Sequence, residues 1–349
     1  MSIGASSSRF VAFPNRTLPL PDWRQKLRLN FTKWEPLADF LELGSEERGQ
    51  ILQKSSFRLN LPLRLAEKIA KGRLDDPILR QFLPTLQEEV AVPGFTADPL
   101  QEREAQLSPR LLKKYAGRAL LVTSSACAMH CRYCFRRHFD YAPFQATFEE
   151  ELAAINADES LSEILLSGGD PLSLSDEILA RLIDGLNKME HVKRLRFHSR
   201  FPIGIPERID FSFIELLKKS RKQIYFVIHC NHPLELDAEV AASLSKIRSL
   251  GIPVLNQAVL LKGVNDSVET LKALSMRLID EGILPYYLYQ LDPVAGSAHF
   301  EVEASRGKEL VAALARELPG YGVPRYVQEI AGEPSKVAVR GEPMGPNCH

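Results

Sequence analysis

From position 119 onward the chain alternates between short apolar runs and longer segments of helical period. The runs cover 119–123, 164–167, 195–199, 224–229, 254–260 and 286–291, and they read as continuous rather than alternating. Continuous runs are expected of parallel strands buried on both faces. Between them, helical spacing of apolar residues covers 176–189, 213–219, 238–250, 268–280 and 306–318. Six strand-then-helix units predict an α/β fold, a partial (β/α)6 barrel of TIM type, whose chemistry lies on loops at the C-terminal strand ends.

Upstream the pattern differs. Pro14, Pro19 and Pro21 break any helix near the start, so residues 1–20 read as a loose arm. Phe40, Leu41, Ile51, Leu52, Leu63, Leu65 and Ile69 then recur at spacings suited to amphipathic helices, a helical cap with a packing role. The expected organisation is an N-terminal arm and helical region (1–112), the barrel (113–325) and a C-terminal segment (326–349).

Composition adds mainly exclusions. Apolar residues make up 45% and charged residues 25% of the 349, as in an ordinary globular protein. The 44 basic and 44 acidic residues balance, which gives no electrostatic footprint for nucleic acid or an anionic membrane. No apolar run has the ~20 residues of a membrane span, and the first residues lack the apolar stretch of a secretory leader. Five cysteines, three of them clustered, fit a reducing cytoplasm.

The clustered cysteines are Cys127, Cys131 and Cys134, directly after the first strand. One loop with this spacing can present three thiolates to a [4Fe–4S] cube and leave the fourth iron open to a small molecule. The competing reading is a structural zinc, which would need His130 or His138 as fourth ligand. The second strand ends in Leu-Ser-Gly-Gly-Asp-Pro-Leu. Gly168 and Gly169 there would let a ligand approach the backbone, with Asp170 as an anionic acceptor. By itself this run reads as an ordinary turn.

Taken together, the cysteine loop and Gly168-Gly169-Asp170-Pro171 resemble the radical S-adenosylmethionine (SAM) superfamily. The order of Phe135-Arg136-Arg137, Arg196-Phe197-His198-Ser199-Arg200, His229-Cys230-Asn231-His232-Pro233 and Leu255-Asn256-Gln257 through Asp266 is similar to the lysine 2,3-aminomutase family. The resemblance covers about residues 60–340. It implies the [4Fe–4S] cluster on the three cysteines and SAM beside Gly168, Gly169, Asp170, Ser199, His229 and Gln257. It also implies pyridoxal 5′-phosphate (PLP), with Lys336 as the Schiff-base lysine and Lys114 and Arg118 as phosphate contacts. Lys114 stands where other members carry arginine, and Glu-Pro-Ser precedes Lys336 where better-known members carry glycines.

On the same resemblance, Arg136 takes the substrate carboxylate, the geometry arginine serves best. Asp292 and Glu329 take a distal ammonium, which argues for L-lysine and against glutamate. Catabolic members carry additional cysteines for a structural zinc. This chain has Leu291 beside Asp292 and only Cys348 near its end, so no zinc is expected. The shorter form resembles the bacterial branch that makes (R)-β-lysine for elongation factor P, where a separate ligase attaches it. An external electron donor for the cluster and a homo-oligomer are further expectations. Free-lysine catabolism or osmolyte synthesis, and a non-catalytic iron–sulfur redox sensor, remain alternative functions at this point.

Overall fold

A computed structural model describes residues 22–143 and 145–339. The expected arm over 1–20, and Cys348, lie outside the described residues. Ten strands form one sheet in strictly sequential order: β1 (Gln106–Ser108), β2 (Leu111–Tyr115), β3 (Arg118–Ser124), β4 (Glu163–Gly168), β5 (Arg194–Ser199), β6 (Gln223–Ile228), β7 (Val254–Val259), β8 (Leu284–Tyr289), β9 (Arg325–Gln328) and β10 (Val337–Ala338). All six expected strands are present. Neighbours from β3 to β9 pair in parallel, while β1, β2 and β10 add antiparallel strands at the two ends. The edge strands β1 and β10 are not paired to each other, so the barrel is partial.

Three expectations need correction. The parallel set has a seventh strand, β9, which is too short to show as an apolar run. The boundaries drawn at 112/113 and 325/326 fall inside β2 and β9, so one sheet runs through all three segments. Finally, the strands are not buried on both faces. β5 and β7 alternate strictly between buried and half-buried positions. The buried set, including Leu121, Ile164, Leu166, Leu195, Phe197 and Phe226, packs outward on the helices. The other set, including Leu165, Ser167, Arg196, His198, Tyr225, Leu255, Gln257 and Tyr287, lines a cavity inside the curved sheet. Side chains two apart share a face, so a sheet wrapped around a cavity must alternate.

The helices return the chain across the outer face. Asp176–Asn187 buries Leu179, Leu182, Ile183 and Leu186, and Val268–Asp280 buries Leu271, Leu274 and Leu278. Each such side chain contributes roughly 1.5–3 kcal/mol of burial. Ser175, Asp210, Asp237 and Ser267 start their helices by accepting a hydrogen bond from an N–H of the first turn. Helix Glu149–Ala157, after the cysteine loop, was not evident in the pattern; its first turn is three glutamates.

The N-terminal region is less helical than its spacing suggests. Helices Trp23–Leu27, Trp34–Phe40, Ser45–Gly49 and Leu63–Ala66 are short, interrupted at Gly44, Gly49 and Pro62. Single bridges, Phe31 to Leu61 and Ile51 to Thr85, tie the turns together. Its apolar residues join the main core, as expected of a packing role. It also grips the cysteine loop: His130 N–H donates to Asn60 O (3.0 Å) and Arg132 N–H to Gln81 O (2.8 Å). The Asn60 amide donates to Cys127 O at 3.2 Å. Among the described residues, no helix is long and apolar enough to cross a membrane.

Candidate active site

The cavity has a volume of about 890 Å³, within the range of small-molecule sites. Cys127, Cys131, Cys134, Gly168, Gly169, Asp170, His229, Gln257, Lys114, Arg118, Arg136, Asp292, Glu329 and Lys336 all line it. Ser199 does not. Residues from both ends of the chain therefore meet in one chamber.

The cysteines occupy one wall. All three are free thiols, partly exposed to the cavity. Burial raises the pKa of Cys127 strongly and that of Cys134 to about 11, so these thiols resist ionising unless a cation or metal takes up the charge. Among the described residues, no three His, Cys, Asp or Glu side chains converge tightly enough for a single ion. Each histidine considered for zinc has one ring nitrogen engaged by a backbone carbonyl. His130 Nδ1 bonds Arg58 O at 2.8 Å, and His138 Nε2 bonds Ala295 O at 3.0 Å. Three thiols spread along one loop fit a multi-iron cluster with one open iron.

The Gly-Gly-Asp strand end lines the cavity and is also packed against the cysteine loop. Gly168 has φ +112°, and a Cβ on Gly169 would lie 2.4 Å from Ala126 O. Gly169 N–H donates to Ser124 O (2.6 Å) and Asp170 N–H to Ala126 O (2.8 Å). The glycines thus admit the protein's own backbone, the stem of the cysteine loop. The Asp170 carboxylate accepts from the N–H groups of Leu172 (3.0 Å), Arg200 (2.9 Å) and Phe201 (3.1 Å) and from the Ser199 hydroxyl (2.8 Å). Burial nonetheless pushes it up to about 6. Asp170 and Ser199 therefore brace the ends of β4 and β5 against each other, and Asp170 does so while lining the cavity. A buried carboxylate spends its lone pairs on the nearest unpaired donors.

His229 and Gln257 face the cavity as expected. Burial holds His229 down to about 4, and its Nε2 lies 3.4 Å from Nδ1 of His198. His198 Nε2 is buried without a partner.

The opposite wall carries most of the charge. Lys336, just before β10, donates from Nζ to Glu329 at 2.7 Å. Lys114 donates to the other Glu329 oxygen at 3.0 Å and lies 3.5 Å from Glu102. Although burial opposes it, the two ammonium groups hold Glu329 down to about 2. In this structure both Glu329 oxygens are paired with protein cations. Asp292 differs. Its Oδ1 is buried without any hydrogen-bond partner, and burial together with the Glu329 charge pushes it up to about 7. It is the unsatisfied acid of this wall. Arg136 is present but not free: Glu102 accepts from Nε at 2.6 Å and from Nη2 at 2.7 Å. One edge of the guanidinium is filled and Nη1 is turned toward Ser167 at 3.4 Å, so a ligand carboxylate would meet the remaining edge.

Lys336 Nζ lies 4.9 Å from the Tyr289 ring centre, and Arg118 sits over Tyr115 at 4.5 Å. A cavity lysine, two nearby cations and several tyrosine faces fit a PLP ring and phosphate. Glu102, Tyr133 and His198 were missed. Glu102 lies in a plain Gln-Glu-Arg-Glu run with no local signal. Arg200 was inside a recognised run but had no role, and it donates to Cys131 Sγ at 2.8 Å.

An open parallel sheet with a three-thiol loop after its first parallel strand defines the class: residues 121–274 match the Radical SAM superfamily. Relatives carry the identification further. The chain is 42% identical to the L-lysine 2,3-aminomutase of Escherichia coli (strain K12) over 321 residues, covering 90% of this chain and 93% of that one. It is 42% identical to the Haemophilus influenzae L-lysine 2,3-aminomutase over 319 residues (90% and 94%). Identity to the Clostridium subterminale L-lysine 2,3-aminomutase is 33% over 324 residues, covering 91% of this chain and 77% of that one. Among solved structures, a radical SAM methyltransferase from Sphaerobacter thermophilus is similar at TM-score 0.46 and 20% identity, covering 62% and 68% of the two chains. The chain belongs to the radical SAM lysine 2,3-aminomutase family and is an isomerase of that type. The non-catalytic sensor reading falls with that membership.

Proposed function

We propose that this enzyme converts L-lysine to (R)-β-lysine with a [4Fe–4S] cluster, SAM and PLP, and that the product modifies elongation factor P. The observation that carries the substrate reading is the buried, unpartnered Oδ1 of Asp292 on the same cavity as Lys336 and the three thiols. A buried acid without a partner is costly, and a substrate ammonium at that point removes the cost.

When bound, the reduced cluster with SAM supplies an organic radical able to take a hydrogen atom, and PLP supplies a carbonyl that captures amines and delocalises an unpaired electron. Cys127, Cys131 and Cys134 hold the iron. Lys336 anchors PLP, and Lys114 and Arg118 offer charge to its phosphate. The free edge of Arg136 takes the substrate carboxylate while Asp292 takes the distal ammonium, so the substrate is held at both ends. Glu329 holds the Lys336 amine in place by an ion pair and is bridged by Lys114 on its other oxygen. The enclosed walls keep water from the radical. Reduction requires an external low-potential donor, in keeping with a cytoplasmic enzyme.

The elongation factor P role is supported by the order of similarity: identity is 42% to the Escherichia coli and Haemophilus influenzae relatives and 33% to the clostridial one. Anaerobic assay of the reconstituted enzyme should yield β-lysine and 5′-deoxyadenosine from lysine; formation of neither sinks the activity. Deleting the gene should leave elongation factor P lighter by one β-lysyl group, and an unchanged mass sinks the role.

A further inference from the structure

We infer that Arg200 tunes the electron affinity of the iron–sulfur cluster by hydrogen-bonding Cys131, a role distinct from holding the fold. The inference rests on the reading that the three thiols carry the cluster. Among the described residues, Cys131 is the one thiol of the three whose sulfur accepts a hydrogen bond from a charged side chain, Arg200 Nη1 at 2.8 Å. The guanidinium is held from several sides. Nη1 also donates to the Tyr133 hydroxyl (2.5 Å), and Nη2 donates to Gln81 Oε1 (2.6 Å) and Glu235 Oε2 (2.8 Å). Gln81 and Glu235 are fully buried, and Arg200 is 5% exposed. Asn231 reinforces the array by donating to Gln81 (3.0 Å) and to the Tyr133 hydroxyl (2.6 Å).

Charge balance alone does not explain this arrangement. Glu235 already neutralises Arg200, yet the fork is turned so that one nitrogen serves the acid and the other the sulfur. The contributing residues come from the N-terminal region, the cysteine loop and the ends of β5 and β6. A cluster gains one negative charge on reduction. Hydrogen bonds to its sulfurs favour that state, and more strongly where water is excluded. The array is therefore expected to raise the cluster's potential and to distinguish the Cys131 iron from the other two ligated irons.

The test is EPR-monitored redox titration of the reconstituted enzyme, with iron and sulfide content measured on the same samples. The paired substitution Arg200→Gln with Glu235→Gln removes one charge of each sign, so its shift reports the hydrogen bond. The expected result is full iron content with a more negative midpoint. Tyr133→Phe, which deletes one hydroxyl, should give a smaller shift of the same sign and carries the test if the double variant does not load iron. An unchanged or more positive midpoint in an iron-replete variant overturns the inference. Failure of the unmodified protein to take up iron instead overturns the cluster reading beneath it.

Discussion

The two walls of the cavity are built by different means. The thiol wall is local: three cysteines within one loop, and a strand end at 168–170 pinned to that loop's stem by backbone hydrogen bonds. The lysine wall is assembled across the chain. Lys114 meets Glu329 across 215 residues, and Asp292 and Lys336 come from two further segments. The thiol wall ties strand end and loop stem together through backbone hydrogen bonds and the Asp170 carboxylate before any ligand arrives. The lysine wall leaves one acid, Asp292, unsatisfied and holds its reactive amine in a replaceable ion pair. The first is a fixed socket; the second is poised for exchange.

The largest expected effect separates the walls outright. Cys131→Ala should abolish turnover and iron loading yet leave Lys336 able to be labelled by PLP and borohydride, as read by peptide mass spectrometry. Lys336→Ala should do the converse: full iron, no pyridoxyl label at that peptide, and kcat lowered by on the order of 10⁴-fold, since a positioned reacting group is lost. If either substitution disables both walls, they are not the independent units described here.

Asp292→Asn comes next. Removing one partner of a buried pair costs about 3–5 kcal/mol, so kcat/KM for lysine should fall about 10²- to 10⁴-fold while iron content stays full. The sign with pH follows from its raised value of about 7. Below that pH the carboxyl is neutral and cannot pair with an ammonium; above it the charge is present. The kcat/KM of the native enzyme should therefore rise as pH increases through about 7, and that limb should vanish in the variant. Bound substrate stabilises the carboxylate, so kcat should be flatter over the same range. A kcat/KM profile with the same limb in Asp292→Asn would assign it to another group.

The same contrast decides what could be read from the residues alone. The thiol loop was legible because its ligands lie within one short spacing. The order of the later runs identified the family because order survives where single residues do not. The six main strands were legible from apolar runs, but their two-sided burial was not. That error has a physical source: an inward-facing Leu165 or Leu255 looks like core when it lines a cavity. A motif shows that Asp170 and Ser199 gather at a site, but their hydrogen bonds were not legible because they depend on N–H groups at 172, 200 and 201. Glu102 left no trace, since a lone acid in a polar run acquires meaning only when the sheet brings Arg136 to it.

Glu102 is also where the walls touch. It holds Arg136, two residues after the third cysteine, and lies 3.5 Å from Lys114 on the lysine wall. Its two hydrogen bonds fix the plane of the Arg136 guanidinium and so aim the remaining edge at a substrate carboxylate. Glu102→Gln keeps the shape, one acceptor and some of the hydrogen bonding while removing the charge. Charged hydrogen bonds are worth about 1.5–3 kcal/mol, and part of that is retained by the amide. The expected result is KM for lysine raised about 10-fold with kcat within about 2-fold of native, and an iron content and midpoint potential unchanged. A fall in melting temperature with KM unaltered would make Glu102 a brace of the fold alone. The walls would then be joined by packing there, not by the charge that orients the substrate.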